Sequence, residues 1–496
     1  MSTDSSQPTI NALPGKRVEA LGACALIALT ALLGLCWISE LPLLGYDAYP
    51  LIASSQMEGL GDIWRILSME LMDGRYPDGH FHRPLVQLSF ALDRTLHGLE
   101  PKGYHLTNLI ACATSGVLIF GLARRVTGIG IWSACLAGLI FVAHPLQAEV
   151  LPFAARRADN LALCLILAVL ALQVRPSTSL SWWRGLACGV LAWCAFAAKE
   201  TGAVVALLAP IMLVIEAQGT LSEKIRSALR RVWPTLLGVG LGVLARQLVL
   251  GGLAGHSDSS LLAGLSLPAS EYLWRLLYSQ PWLGWGSGGM LIIWGLFAAL
   301  VFKAWKSKGG GAGFLLAWLF ALLAVSGLAG RVHDWYALLF VPPFAILLGA
   351  VIDDAWNKFR EERKPAGLIP GILAVGLGIS FLACGPLTQR YSNLIDGSKM
   401  LTQSLAQVDR LLEGAQEGSS ARLNPWIPFV QPHSDGSELR GVALAADYSL
   451  QAYVELQRPD LKSRVRRFES APAPNGEQFW TLELVQQPLP SWIRQH

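Results

Sequence analysis

Long apolar segments alternate with short polar segments along most of this chain of 496 residues. Many apolar segments approach the roughly 20 residues that a helix needs to cross a bilayer. We predict about eleven spans, at 18–38, 104–123, 129–147, 158–174, 184–199, 201–217, 232–252, 287–304, 312–330, 335–352 and 367–385. The pattern therefore predicts an all-α polytopic membrane protein.

Two polar regions are too long to be turns. The first, 39–103, contains two amphipathic stretches, Ile63 to Met72 and Leu85 to Leu99, of the kind that lie in the interface plane. The second, 386–496, has strand-like runs at 441–445 and 479–485 and predicts a small α/β appendage. The predicted organisation is an N-terminal tail 1–17, a transmembrane domain 18–385 that includes the loop 39–103, and a C-terminal domain 386–496.

Composition agrees with a membrane protein, because 53% of the residues are hydrophobic and only 15% are charged. The positions of lysine and arginine predict the orientation. With a cytoplasmic N-terminus, every inner segment is basic: Lys16-Arg17, Arg124-Arg125, Arg175 with Arg184, Lys224 to Arg231, Lys303 to Lys308, and Lys358 to Lys364. We interpret 18–38 as an uncleaved first span, and an odd number of spans then places 386–496 on the outer side.

The same orientation gathers the unusual polar residues on the outer side. They are Asp47, His82, Arg83, His144, Glu149, Arg156, Arg157, Asp159, Lys199, Glu200, Arg331, His333 and Asp334. Transporters more often carry charges near the midplane, on broken helices. Because the middles of the spans carry almost no charge here, we interpret this set as a reaction site at a membrane surface.

Several of these residues have chemistry that suits group transfer, and each also has a simpler interpretation. Asp47 could act as a general base on an acceptor hydroxyl, or it could cap a helix. Arg83 is either a phosphate ligand or a cation that reaches lipid head groups. Arg331 and His333 have the same two interpretations. The pair Lys199-Glu200 is costly in an apolar setting unless it is paired, so it is either functional or a structural ion pair.

Arg156 and Arg157 run against the positive-inside rule, because they lie on the predicted outer side. Two explanations remain open. One is an anionic ligand, and the other is an ion-pair network with Glu149 and Asp159.

Six stretches of this sequence together resemble a known family. They are Phe81 to Asp93, Gly103 to Leu109, His144 to Glu149, Arg157 to Asp159, Lys199-Glu200, and Arg331 ahead of Trp335, Tyr336 and Pro342. Their order and spacing resemble those of bacterial relatives of the transmembrane and tetratricopeptide-repeat O-mannosyltransferases, a branch of the GT-C superfamily. The resemblance covers about residues 40–350.

The resemblance implies an inverting glycosyltransferase that takes one sugar from a polyprenyl-phosphate carrier at the outer face of a bacterial inner membrane. It implies that Asp47 is the catalytic base. It also implies that Arg331 and His333 bind the donor phosphate, and that Arg83, His82 and Lys199 assist in binding it. The remaining residues would bind sugar or acceptor, or form structural ion pairs: His144, Glu149, Arg156, Arg157, Asp159, Glu200 and Asp334.

The chain departs from this family at the base, because Asp47 stands between Tyr46 and Ala48 where many relatives have two adjacent acids. We assign no metal ligands and no cofactor, and leave open a divalent cation at Asp47. The expected partners are the lipid-linked donor, a glycan, lipid or protein acceptor, and the bilayer; no nucleic acid is expected. Two alternatives remain: an oligosaccharide ligase or polymerase with a lipid-diphosphate donor, which the paired Arg156-Arg157 keeps open, and a non-catalytic lipid or glycan transporter.

Overall fold

The computed structural model describes residues 14–76, 80–174, 181–252, 276, 286–328, 334–363, 365–413, 420–424, 447–459, 466–467 and 479–483. Its α-helices are α1 (Pro14–Gly34), α2 (Ala48–Ser54), α3 (Gly61–Ser68), α4 (Pro84–His97), α5 (Pro101–Val126), α6 (Ile131–Ala143), α7 (Gln147–Val150), α8 (Arg157–Gln173), α9 (Trp182–Ala198), α10 (Val205–Glu216), α11 (Leu221–Leu250), α12 (Gly286–Lys308), α13 (Gly310–Leu328), α14 (Val341–Glu362), α15 (Ile369–Cys384), α16 (Ser392–Glu413) and α17 (Asp447–Gln457). Its strands are β1 (Ser420–Asn424), β2 (Arg466–Arg467) and β3 (Phe479–Glu483).

A helix occupies each of the predicted apolar segments, and the chain is a multi-pass membrane protein. Within the described ranges, four helices are long and apolar enough to cross a membrane, at Gly15–Glu40, Pro101–Val126, Leu221–Leu250 and Trp335–Glu362. Four shorter apolar helices are Ile131–Ala143, Trp182–Ala198, Gly310–Ala324 and Ile369–Cys384. The number of eleven crossings stays a prediction.

Close helix packing builds the bundle around α5, α6, α8 and α14, whose apolar side chains form the core. Glycines allow the closest approaches. A Cβ atom at Gly238 on α11 would lie 2.0 Å from the carbonyl oxygen of Gly189 on α9, so neither backbone leaves room for a side chain there. These contacts fix the positions of the helix ends, which carry the polar residues.

The two predicted amphipathic stretches are the short helices α3 and α4. The first ends earlier than predicted, at Ser68, because Met69 and Glu70 adopt extended backbone conformations that a helix cannot continue. α4 starts with Pro84 in its first turn and ends at Gly98, whose φ is 61°. Trp64 on α3 is 75% exposed, as expected of a helix that lies in the interface.

The C-terminal region is described in parts. β1 pairs in parallel with β2 and β3, in the order β2-β1-β3. The predicted run 479–485 includes β3, whereas the run 441–445 lies outside the described residues. The α/β appendage therefore stays a prediction. α17 packs against α2 in the first loop, so this part of the C-terminal region contacts the site described next.

Candidate active site

Most of the predicted site residues lie at helix ends that meet at one end of the bundle. Asp47 precedes α2, Arg83 precedes α4, Arg156 precedes α8 and Lys199 follows α9. A separate group marks the other end, where Asp353 accepts hydrogen bonds from the Gly130 backbone and Lys308 at 2.9 and 3.0 Å. The predicted site residues within the described ranges therefore gather mostly at one end.

Asp47 is a half-buried carboxylate beside two arginines. Its Oδ1 accepts a hydrogen bond of 2.8 Å from the Tyr448 hydroxyl. Burial raises the pKa of Asp47, while that hydrogen bond and the charges of Arg83 and Arg156 act against the shift. A carboxyl group with a raised pKa suits proton abstraction near neutral pH.

Glu200 joins two arginines from distant parts of the chain. Arg83 donates through Nε and Nη2, and the Nη2 bond to Glu200 measures 2.9 Å. Arg246 on α11 donates to the other carboxylate oxygen. Although burial favours the neutral acid, these two cations lower the pKa of Glu200 to about 2. Glu200 therefore holds both guanidinium groups in place as a carboxylate.

Lys199 and Asp159 form a second, more deeply buried ion pair. The Lys199 ammonium group also lies 4.3 Å from the centre of the Tyr336 ring. The turn between α9 and α10 is tight, because a Cβ atom at Gly202 would lie 2.2 Å from the carbonyl oxygen of Ala195. That turn places Lys199 and Glu200 side by side facing different partners.

Arg156 lies between two aromatic rings, 4.1 Å from the centre of Phe153 and 3.8 Å from that of Trp335. It contacts Glu149 through the backbone carbonyl oxygen and, at 3.5 Å, through the carboxylate. The predicted ion pair between these two residues is present. Stacked aromatic rings fix the plane of the guanidinium group next to Asp47.

Arg157 is fully buried and points away from this cluster. It donates to Asn108 Oδ1 at 3.2 Å, Ser89 Oγ at 3.1 Å and the Tyr104 carbonyl oxygen at 2.8 Å, and it forms an ion pair with Asp93. These partners occupy the guanidinium group, which therefore supports the packing of α4, α5 and α8.

Two of the three histidines of the predicted site, His82 and His144, make backbone contacts. His144 is fully buried; its Nε2 donates to the Leu276 carbonyl oxygen at 2.8 Å and its Nδ1 accepts from the Leu146 backbone at 3.2 Å. His82 donates through Nε2 to the Leu67 carbonyl oxygen at 2.9 Å. Both therefore hold local structure.

Three predicted residues cannot be placed. Arg331 and His333 lie outside the described residues, as does the side chain of Asp334. Their assigned roles stay predictions.

Sequence reasoning missed Arg246 and Tyr448. Arg246 falls inside the apolar segment 232–252, where an arginine is a signal of function or pairing that the sequence analysis did not use. Tyr448 carried no signal, since it lies 401 residues from its partner Asp47. In the described part of the chain, no group of three or more His, Cys, Asp or Glu residues is arranged to hold a metal. The groups that act on Asp47 are a hydroxyl and two cations, and the divalent cation left open at Asp47 stays a prediction.

The sequence matches curated O-mannosyl-transferases over part of its length, and no protein-family model matches it. Protein O-mannosyl-transferase tmtc2 of Xenopus laevis is 36% identical over 129 residues, which are 25% of this chain and 15% of the relative. Protein O-mannosyl-transferase Tmtc1 of Drosophila melanogaster is 28% identical over 179 residues, 35% of this chain and 20% of the relative. The match therefore spans no more than about a fifth of these relatives. The resemblance seen in the sequence is confirmed.

The structural likeness extends over most of the chain. The crystal structure of ArnT from Cupriavidus metallidurans in the apo state has a TM-score of 0.53 and 13% identity, with coverage of 89% of this chain and 84% of ArnT. The crystal structure of the same protein bound to undecaprenyl phosphate has a TM-score of 0.51 and 13% identity, with coverage of 93% of this chain and 87% of ArnT. The chain therefore shares the fold of ArnT. At this level of identity the likeness shows the fold alone.

Proposed function

We propose that this protein is a glycosyltransferase that moves a single sugar from a polyprenyl-phosphate carrier to an envelope glycan, lipid or protein. The observation that carries the proposal is the half-buried Asp47 carboxylate beside Arg83 and Arg156, at one end of a GT-C bundle. A base next to fixed cations is the arrangement that transfer from a phosphate ester requires.

The reaction is an in-line displacement at the anomeric carbon of the sugar. The acceptor hydroxyl attacks that carbon while Asp47 takes its proton. The bond from the anomeric carbon to the phosphate oxygen breaks, and the polyprenyl phosphate leaves with the electron pair. One base suffices, because the leaving phosphate needs no strong general acid. The configuration at the anomeric carbon is inverted.

The cations would stabilise the charge that develops on the leaving phosphate. Arg83 binds Glu200 through Nε and Nη2, which form one edge of its guanidinium group. Its Nη1 lies on the other edge, which does not face that carboxylate. Arg83, Arg246 and Lys199 together carry one more charge than Glu200 and Asp159, which leaves an excess positive charge for an anion. Loss of one such donor typically costs about 3–4 kcal/mol in the barrier.

Two observations support a lipid-linked donor at the outer face of a bacterial inner membrane. ArnT, whose fold this chain shares, has been crystallised with undecaprenyl phosphate. The contact of Tyr448 with Asp47 requires the first loop and α17 to be on one side of the membrane, as an odd number of crossings predicts. The basic inner segments then make that side the outer one.

The burial of Arg157 bears on the ligase or polymerase alternative. That alternative drew on two adjacent arginines for a lipid diphosphate, but Arg157 is occupied by Asp93 and Asn108. Only Arg156 of the pair acts on Asp47. The observation favours transfer from a monophosphate carrier.

The test is a mass profile of envelope glycans and lipids from a deletion strain complemented with wild type, Asp47→Asn or Asp62→Asn. Asp62 is an acid of the same loop that pairs with Arg65 and serves as the matched control. We expect loss of one sugar mass, restored by wild type and Asp62→Asn but not by Asp47→Asn. Full rescue by Asp47→Asn would favour a transporter, and loss of a whole polymer ladder would favour a ligase or polymerase.

A further inference from the structure

The C-terminal helix α17 is fixed against the first loop by several kinds of contact. Its residues 452–456 are buried without interruption. The ring of Tyr453 meets that of Tyr49 on α2 edge to face, with centroids 4.9 Å apart. Arg75 Nη2 lies 2.8 Å from Glu455 Oε2 at the far end of the helix. α17 is thus held at both ends and along its face.

This docking brings Tyr448, in the first turn of α17, to Asp47. The Tyr448 hydroxyl donates to Asp47 Oδ1 at 2.8 Å. The Tyr448 ring packs edge to face on Tyr76, with centroids 6.4 Å apart. Because the ring is held by its neighbour, the direction of the hydroxyl is set before any substrate binds.

We propose that Tyr448 is a positioning residue that holds the Asp47 carboxylate ready to accept a proton, so that α17 forms part of the active site. The inference rests on the proposed role of Asp47 as the base. Tyr448 occupies Oδ1, and Oδ2 then takes the proton of the acceptor hydroxyl. A hydrogen bond to a charged group is stronger than one to a neutral group, so the contact favours the carboxylate form.

The charges around Asp47 predict that loss of Tyr448 changes the pH dependence of Asp47 protonation. The groups that act on Asp47 are Tyr448 from α17, Arg83 from the start of α4 and Arg156 from the start of α8, while Tyr46 and Tyr76 act on Tyr448. The hydrogen bond and both cations oppose the effect of burial. Removal of the Tyr448 hydroxyl therefore lets Asp47 take up its proton at a higher pH.

The first test needs no knowledge of the substrate. Dicyclohexylcarbodiimide modifies protonated carboxyl groups, and mass spectrometry of the purified full-length protein measures labelling at Asp47 as a function of pH. Tyr448→Phe should move the midpoint to higher pH. Tyr453→Phe is the matched control, since its hydroxyl donates to Asp409 instead, at 2.6 Å. Equal midpoints in wild type and Tyr448→Phe would overturn the proposal.

The second test measures the sugar product in complemented cells at buffered external pH. Tyr448→Phe should lower the product about tenfold at the lowest pH where wild type is active, and change it little at high pH. An equal loss at every pH, or the same profile in Tyr453→Phe, would show a merely structural role and refute the inference. Activity of Asp47→Asn would refute the base itself, whereas the labelling shift would still report on the contact.

Discussion

Arg83 contacts Glu200 side-on, through Nε at 3.2 Å and Nη2 at 2.9 Å, although the two residues are 117 positions apart. The carboxylate therefore fixes the plane of the guanidinium group before any ligand arrives. The same carboxylate holds Arg246. In the proposed function, these two cations, oriented in advance by one acid, would form a rigid element that binds the donor phosphate.

The proposed phosphate contact predicts weaker lipid binding in Arg83→Gln. Loss of a charge-assisted hydrogen bond should lower the affinity for undecaprenyl phosphate by about 10- to 100-fold. The measurement is a binding isotherm with purified protein in detergent. Arg65→Gln is the control, because Arg65 lies in the same loop and pairs with Asp62 at 3.2 Å. Wild-type affinity in Arg83→Gln would contradict the assignment.

The lowered pKa of Glu200 predicts that the folded protein loses stability at acidic pH. Because its pKa in the folded protein is lowered from 4.5 to about 2, its charged form contributes stability above pH 4.5, and that contribution is lost as the pH falls towards 2. Thermal unfolding in detergent should show a steeper fall in Tm across this range for wild type than for Glu200→Gln. The control is Glu361→Gln at an exposed position near the end of α14; parallel curves for wild type and Glu200→Gln would count against this prediction.

The buried pair of Lys199 and Asp159 predicts a large loss of stability when one partner is removed. Lys199→Met leaves a buried carboxylate without its cation and should cost about 3–5 kcal/mol, seen as a lower Tm. The double variant Lys199→Met with Asp159→Leu should recover most of this loss. At the exposed pair of Lys399 and Asp396, 3.6 Å apart, Lys399→Met should cost at most about 1 kcal/mol. Equal effects at both pairs would show that burial is not the cause.

The helices were predictable because a bilayer demands apolar segments of a minimum length, and a helix occupies each predicted segment. The point at which α3 ends was not predictable from apolar spacing. The helix stops because Met69 and Glu70 adopt extended backbone conformations. Hydrophobic periodicity carries no information about such a break.

The location of the candidate site was predictable for a similar reason, since charges of a membrane protein concentrate at helix ends. The direction in which each side chain points was not predictable. Arg156 and Arg157 are adjacent, yet one acts on Asp47 and the other is buried against Asp93. Successive residues at a helix start point about 100° apart, so the assignment depends on how α8 is rotated, which no local pattern specifies.

The contact between Asp47 and Tyr448 also has a consequence for biogenesis. The two residues are separated by 401 positions, so the ribosome makes Tyr448 long after Asp47. During synthesis the carboxylate is present in the nascent membrane protein without the hydroxyl that later binds it. Assembly of this part of the protein therefore waits for the synthesis of α17, and a chain that stops before α17 would enter the membrane with that carboxylate uncovered.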